Sequence, residues 1–84
     1  MDEAPVGPEG FDCVELRDFV RLFDSGEFFA SHEVLEARWL RTRDPFEQGL
    51  IIYASAFVHR DRGNAHGARR QLEKALRYFA PYPP

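Results

Sequence analysis

The breaks Asp24-Ser25-Gly26-Glu27 and Asp61-Arg62-Gly63-Asn64 lie 37 residues apart, and the apolar residues around them repeat at the same offset. Leu16 falls on Tyr53, Val20 on Phe57, Leu35 on Leu72, Glu36 on Glu73 and Trp39 on Leu76. One break repeated between stretches of helical period reads as two helical hairpins in tandem. The first helix is expected over Phe11–Phe23, with Leu16, Phe19, Val20 and Phe23 at helical spacing. The second runs over Glu27–Arg41, with its acid in the first turn and Arg38 and Arg41 in the last, where the helix dipole favours each sign. Asp44 as N-cap and Pro45 at the first helical position open the third, which continues to about Arg60. Leu50, Ile51, Ile52, Tyr53, Ala54, Ala56, Phe57 and Val58 leave that helix almost no polar side, which marks it as central. The fourth, Asn64 to about Phe79, carries the stripe Ala65, Ala68, Leu72, Ala75, Leu76 and Phe79, and Pro81, Pro83 and Pro84 stop it. The expected fold class is therefore all-α, a compact four-helix array of two TPR-like helical hairpins. Two units fall short of the roughly three an open solenoid needs, so a closed bundle is expected.

A chain of 84 residues makes one domain, expected over 11–80, with 1–10 as a disordered lead-in and 81–84 as a tail. A domain this small buries only about 60% of the surface its unfolded chain exposes. Its core must then lean on large side chains, here eight Phe, three Tyr and one Trp. Cys13 is the only cysteine, which rules out an internal disulfide and a cysteine zinc cage and suits a reducing compartment, so a cytoplasmic location is expected. The acidic start has neither the basic nor the apolar region of a secretory signal. The best apolar run, Gly49 to Val58, is too short to span a bilayer. The net charge of −3 offers no general field for nucleic acid. Arg69, Arg70, Lys74 and Arg77, with Glu73 among them, read as a solvated helix face. The expected partner is a small ligand or a protein, with no nucleic acid and no membrane, and a homo-oligomer stays open.

The chemistry of the chain concentrates in Ser31-His32-Glu33-Val34-Leu35-Glu36-Ala37-Arg38-Trp39. At 100° per residue, Phe28, His32, Leu35, Glu36 and Trp39 share a stripe about 100° wide. An imidazole and a carboxylate inside an aromatic stripe need partners, because unpaired burial costs each several kcal/mol. On the third helix Gln48, Ile52, Ser55, Ala56 and His59 lie within about 80° of one another. Ser55 and His59 are thus expected to face His32 and Glu36 across an antiparallel pair, giving a polar pocket of His32, Glu36, Trp39, Ser55 and His59. Such a pocket can be a hydrogen-bonded network that only locks two helices together. It can also serve acid–base chemistry, with Glu36 beside Trp39 and a neighbouring histidine as base. His32, Glu36 and His59 have the residue types of a mononuclear metal site, but His-Glu-x-x-Glu is not the zincin His-Glu-x-x-His, and no metal or cofactor is expected. Glu33 and His66 read as surface, Gly67 and Ala68 as a close approach of helix four to helix three. Cys13, between Asp12 and Glu15, lacks the electropositive setting of a nucleophile. The function expected is that of a non-catalytic binding or scaffolding module. The alternative is a metal-assisted or acid–base hydrolase using His32, Glu36 and His59.

The run Leu22-Phe23-Asp24-Ser25-Gly26-Glu27-Phe28-Phe29-Ala30 leading into Ser31–Trp39, followed by Gly49-Leu50-Ile51, His59, Gly63-Asn64 and Gly67-Ala68, resembles domain-of-unknown-function family 309 (DUF309). The resemblance implies an all-helical fold and a prokaryotic cytosolic setting, without an established activity. Two positions depart from the family pattern. Asp24 stands where the family usually carries Asn, a change that keeps a side chain able to bond the turn backbone. Ile52 stands where the family often has Gln, which removes one polar group from the neighbourhood of the expected pocket.

Overall fold

Four helices, α1 (Val14–Asp24), α2 (Phe28–Thr42), α3 (Pro45–Asp61) and α4 (Ala65–Phe79), follow one another in the computed structural model, which describes residues 13–82. The expected lead-in, the start of the first helix at Phe11 and the last two tail residues lie outside the described residues. The helix ends otherwise fall within a residue or two of those expected. Asp44 accepts a hydrogen bond from Phe46 N at 3.1 Å, with Pro45 next to it at the first position. Asn64 Oδ1 accepts from Gly67 N at 2.9 Å. Cys13 caps α1 with its sulfur, which accepts from Leu16 N at 3.4 Å. Glu27 is the N-cap of α2 and not its first helical residue, and its side chain makes no capping bond.

The repeated breaks close in the same way. After α1, Gly26 N donates to Phe23 O (3.0 Å) and Glu27 N to Leu22 O (2.9 Å); after α3, Gly63 N donates to Arg60 O (2.9 Å) and Asn64 N to His59 O (2.9 Å). Both are Schellman endings, in which the paired bonds satisfy carbonyls the helix leaves open. They need a left-handed residue at the glycine, and Gly26 (φ 84°) and Gly63 (φ 79°) supply it without a Cβ penalty. The α2–α3 connection has no glycine. There Arg43 takes the left-handed conformation (φ 55°), its N–H donates to Trp39 O at 2.7 Å, and its guanidinium lies 4.7 Å from the Trp39 ring centroid.

Each helix packs against the next, so α3 lies between α2 and α4, and the whole is a compact four-helix array. Leu16 and Phe19 of α1, Leu35 of α2, and Ile51 and Ala54 of α3 form the core, with Cys13, Phe23, Trp39 and Leu50 around it. Phe23 is the hub of an aromatic cluster, with ring centroids 4.9 Å from Phe28, 5.1 Å from Phe57 and 5.5 Å from Tyr53. Pairs of this kind add about 0.5–1.5 kcal/mol each beyond their buried area. Between α3 and α4 the small residues Gly49, Ala56 and Ala75 are buried and let the backbones approach. A Cβ on Gly49 would stand 2.7 Å from the Phe79 ring, whereas one on Gly67 would meet only the side chain of its own cap, Asn64. The close approach expected at Gly67 is therefore made by Gly49.

The stripe expected on α4 is only half covered. Ala75 is buried, but Leu72 and Leu76 are exposed, Leu76 to 66%. Among the described residues α4 packs chiefly against α3, and the other half of its apolar face is left uncovered.

At the far end of the array Arg41 Nη2 of α2 donates to Glu15 Oε2 of α1 at 3.1 Å. The Glu15 carboxyl is held below its ordinary pKa, first by a hydrogen bond from its own backbone N–H in the first turn of α1, then by Arg41. A carboxylate whose folded pKa is lowered stabilises the fold above its unfolded pKa, and that contribution is lost as pH falls through the folded value. Arg41→Met should accordingly narrow the stability gap between pH 6 and pH 3, measured as melting temperature against pH. A gap as wide as in the wild type would exclude this pair as a source of acid sensitivity.

Candidate functional site

The inward face of α2 decides where the expected site residues go. Ser31 and Leu35 are fully buried, Phe28, His32, Arg38 and Trp39 are partly buried, and Glu36 is exposed. The helix is turned by about 60° from the orientation in which the stripe of Phe28, His32, Leu35, Glu36 and Trp39 would face the core. Two polar residues permit this. Ser31 donates its hydroxyl to Phe28 O at 2.8 Å, so its burial leaves nothing unsatisfied. Arg38 has a partner across the α2–α3 connection. The burial expected for Glu36 does not occur, because the space it would take is given to Ser31 and Arg38, both of which have partners.

That partner is Glu47, 3% exposed and in the first turn of α3. Arg38 Nε donates to Glu47 Oε2 at 2.7 Å and Thr42 Oγ1 donates to Glu47 Oε1 at 2.7 Å, while Thr42 Oγ1 accepts from Asp44 N at 3.2 Å. The hydrogen bond to Glu47 raises the Arg38 pKa above its ordinary value, so the guanidinium stays charged. This ion pair is the buried charge the sequence reading missed. Its signal was present: Asp44-Pro45-Phe46-Glu47 places an acid at the third position after an N-cap, as in a capping box. Here the acid reaches the cap backbone through the Thr42 hydroxyl.

The five candidate residues separate. Ser55 donates to Ile52 O and accepts from Gln71 Nε2, both at 2.7 Å, which ties it to α4. His59 Nδ1 lies 3.2 Å from Asn64 Nδ2, so it braces the cap of α4. Glu36 points to solvent. His32 stacks on Phe29 with ring centroids 6.1 Å apart and planes 10° apart. Its Nδ1 and the Trp39 Nε1 are buried and have no hydrogen-bond partner among the described residues. Among the described residues no three His, Cys, Asp or Glu side chains are grouped as a metal ion would need.

An open cleft of about 430 Å³ lies between the start of α2 (its N-cap Glu27, Phe28, Phe29) and the end of α3 (Val58, Asp61 and the C-cap Arg62). Phe29 is half exposed, with the Arg62 guanidinium 5.9 Å from its ring centroid. The cleft thus offers an apolar floor with one cation and two carboxylates at its rim, and the Phe29–His32 stack continues its edge. The packing of α2 on α3 brings these two helix ends together.

The profile of the family described as "Domain of unknown function (DUF309)" matches residues 16–71. The chain belongs to the DUF309 family. The DUF309 match begins at the first core residue of α1 and ends at Gln71, the α4 partner of Ser55. It includes the whole Ser31–Trp39 run, the Arg38–Glu47 pair and both lips of the cleft. No curated protein and no solved structure matches the chain. Among the described residues no helix is long and apolar enough to cross a membrane.

Proposed function

We infer that this DUF309 protein is a non-catalytic binding or scaffolding module whose binding surface is the cleft between α2 and α3. The observation that carries the reading is the cleft itself, an apolar depression edged by a guanidinium and joined through Phe29 to the only histidine of α2. Such concave, mostly apolar surfaces with a few polar groups at the rim are where ligands are taken. The arrangement suits an aromatic or aliphatic group that carries a carboxylate, the apolar part on Phe28, Phe29 and Val58 and the anion toward Arg62. The dispersal of Glu36, Ser55 and His59 supports the same reading, since acid–base work needs the groups within hydrogen-bond reach of one substrate.

The test is an amide NMR titration with N-acetylphenylalanine as probe, run beside assays with generic ester and phosphodiester substrates. The expected result is a set of saturable shifts at Phe29, Ala30 and Arg62 that Phe29→Ala abolishes. Shifts elsewhere, or none at millimolar probe, would refute the cleft as the binding surface. Turnover that disappears in both Glu36→Gln and His59→Ala would replace the module by the hydrolase alternative.

A further inference from the structure

The internal repeat leaves the second hairpin with a docking groove that the first has filled. Phe57 of α3 seats between Phe23 of α1 and Phe28 of α2, with ring centroids 5.1 and 5.0 Å away. Around that seat Phe19, Ser31 and Leu35 are buried. Moved on by the 37-residue offset, Phe19, Val20, Phe23, Ser31 and Leu35 become Ala56, Phe57, Arg60, Ala68 and Leu72. Those five residues line a shallow groove of about 50 Å³ between α3 and α4. Next to it lies the exposed Leu76, the repeat equivalent of Trp39, which packs on the core.

A helix that fills this groove must present what α3 presents to the first hairpin, and the repeat equivalent of α3 is α1. At the offset, Ile51 and Phe57 correspond to Val14 and Val20, which are 61% and 53% exposed on the outer side of α1. Leu16, Phe19, Val20 and Leu50, with the Arg17 side chain among them, line a cleft of about 360 Å³ beside them. The array therefore ends in two unlike apolar faces, and the contact that joins its halves relates one face to the other. Charge runs the same way. Helix α1 holds three carboxylates and two arginines, and α4 holds four basic side chains and one carboxylate.

We propose that the chain associates head to tail with copies of itself, α1 of one copy docking in the α3–α4 groove of the next. The interface continues the α1–α2/α3 packing across a copy boundary and uses none of the residues assigned to ligand binding in the cleft, so either assignment can fail alone. Such an interface is heterologous: each addition leaves one α1 face and one α3–α4 groove free, and growth ends only by closing a ring. Opposite charge on the two ends favours the encounter and is screened by salt.

Sedimentation of the full chain over about 10 μM to 1 mM reads the proposal directly, in a range set by the weak-affinity scale of micromolar to millimolar dissociation constants. The wild type should exceed its 9.7 kDa monomer mass and grow with concentration, less so at high salt. Val20→Asp and Leu76→Asp should each be monomeric, having lost opposite faces. Their equimolar mixture should regain association but stop at two chains, because each variant keeps the face the other lacks. Both sites are more than half exposed, so melting temperatures near that of the wild type are the folding control. A wild type that stays monomeric throughout overturns the proposal. So does a Val20→Asp chain that still dimerises alone while the mixture forms no mixed pair, since that is the signature of a symmetric contact between like faces.

Discussion

Arg38→Met should lower the unfolding free energy by about 3–5 kcal/mol, the usual cost of stripping one partner from a buried ion pair. The substitution keeps the length and apolar stem of the side chain, so the loss measures the charge on Glu47 that remains. That carboxylate is 3% exposed and would keep only the Thr42 hydroxyl. Arg38→Met combined with Glu47→Met should recover much of the loss, because the buried charge is then gone altogether. Chemical denaturation of the two single variants and the double variant closes the cycle. A double variant as unstable as the sum of the singles would mean that the pair is not coupled, and that the 2.7 Å contact contributes nothing specific.

Leu35→Ala should cost about 2–5 kcal/mol, the range for truncating a buried leucine to leave a cavity. Leu35 is 0% exposed and belongs to the cluster that joins α1, α2 and α3. In a domain whose total stability is on the order of 5–15 kcal/mol, the variant is expected to lose most of its folded population on modest heating. Its neighbour gives the contrast. Glu36→Ala should stay within about 0.5 kcal/mol of wild type, as exposed positions do. The two melting curves together report the rotation of α2 about its axis. Equal destabilisation would place Glu36 in the core and restore the orientation in which it faces His59.

The elements of this fold were legible because the bonds that define their ends are short in sequence. A Schellman turn at Gly26 needs only Leu22 to Glu27, and its copy at Gly63 needs only His59 to Asn64, so the repeat of residues is a repeat of hydrogen bonds. The same holds for the Asp44 cap, two residues from its donor. The centrality of α3 follows from its lack of a polar side. In each case the deciding interaction lies inside the window that a local pattern describes.

The candidate pocket was less legible because hydropathy alone does not set which way a helix faces. The stripe of Phe28, His32, Leu35, Glu36 and Trp39 leaves Arg38 and Ser31 outside it, but Glu47 lies nine residues along the chain and Ser31 bonds its own helix, and so both turn inward and Glu36 turns out. Ser55 and His59 could have faced α2 or α4, and Gln71 and Asn64, which belong to the far side of the next turn, decide for α4. The apolar stripe of α4 likewise names more residues than one neighbouring helix can cover, which leaves Leu72 and Leu76 at the surface. Interactions a few residues long thus set the number of helices, their ends and their order. The rotation of each helix about its axis was settled in the folded molecule, because it depends on partners which folding, and not adjacency, brings within reach.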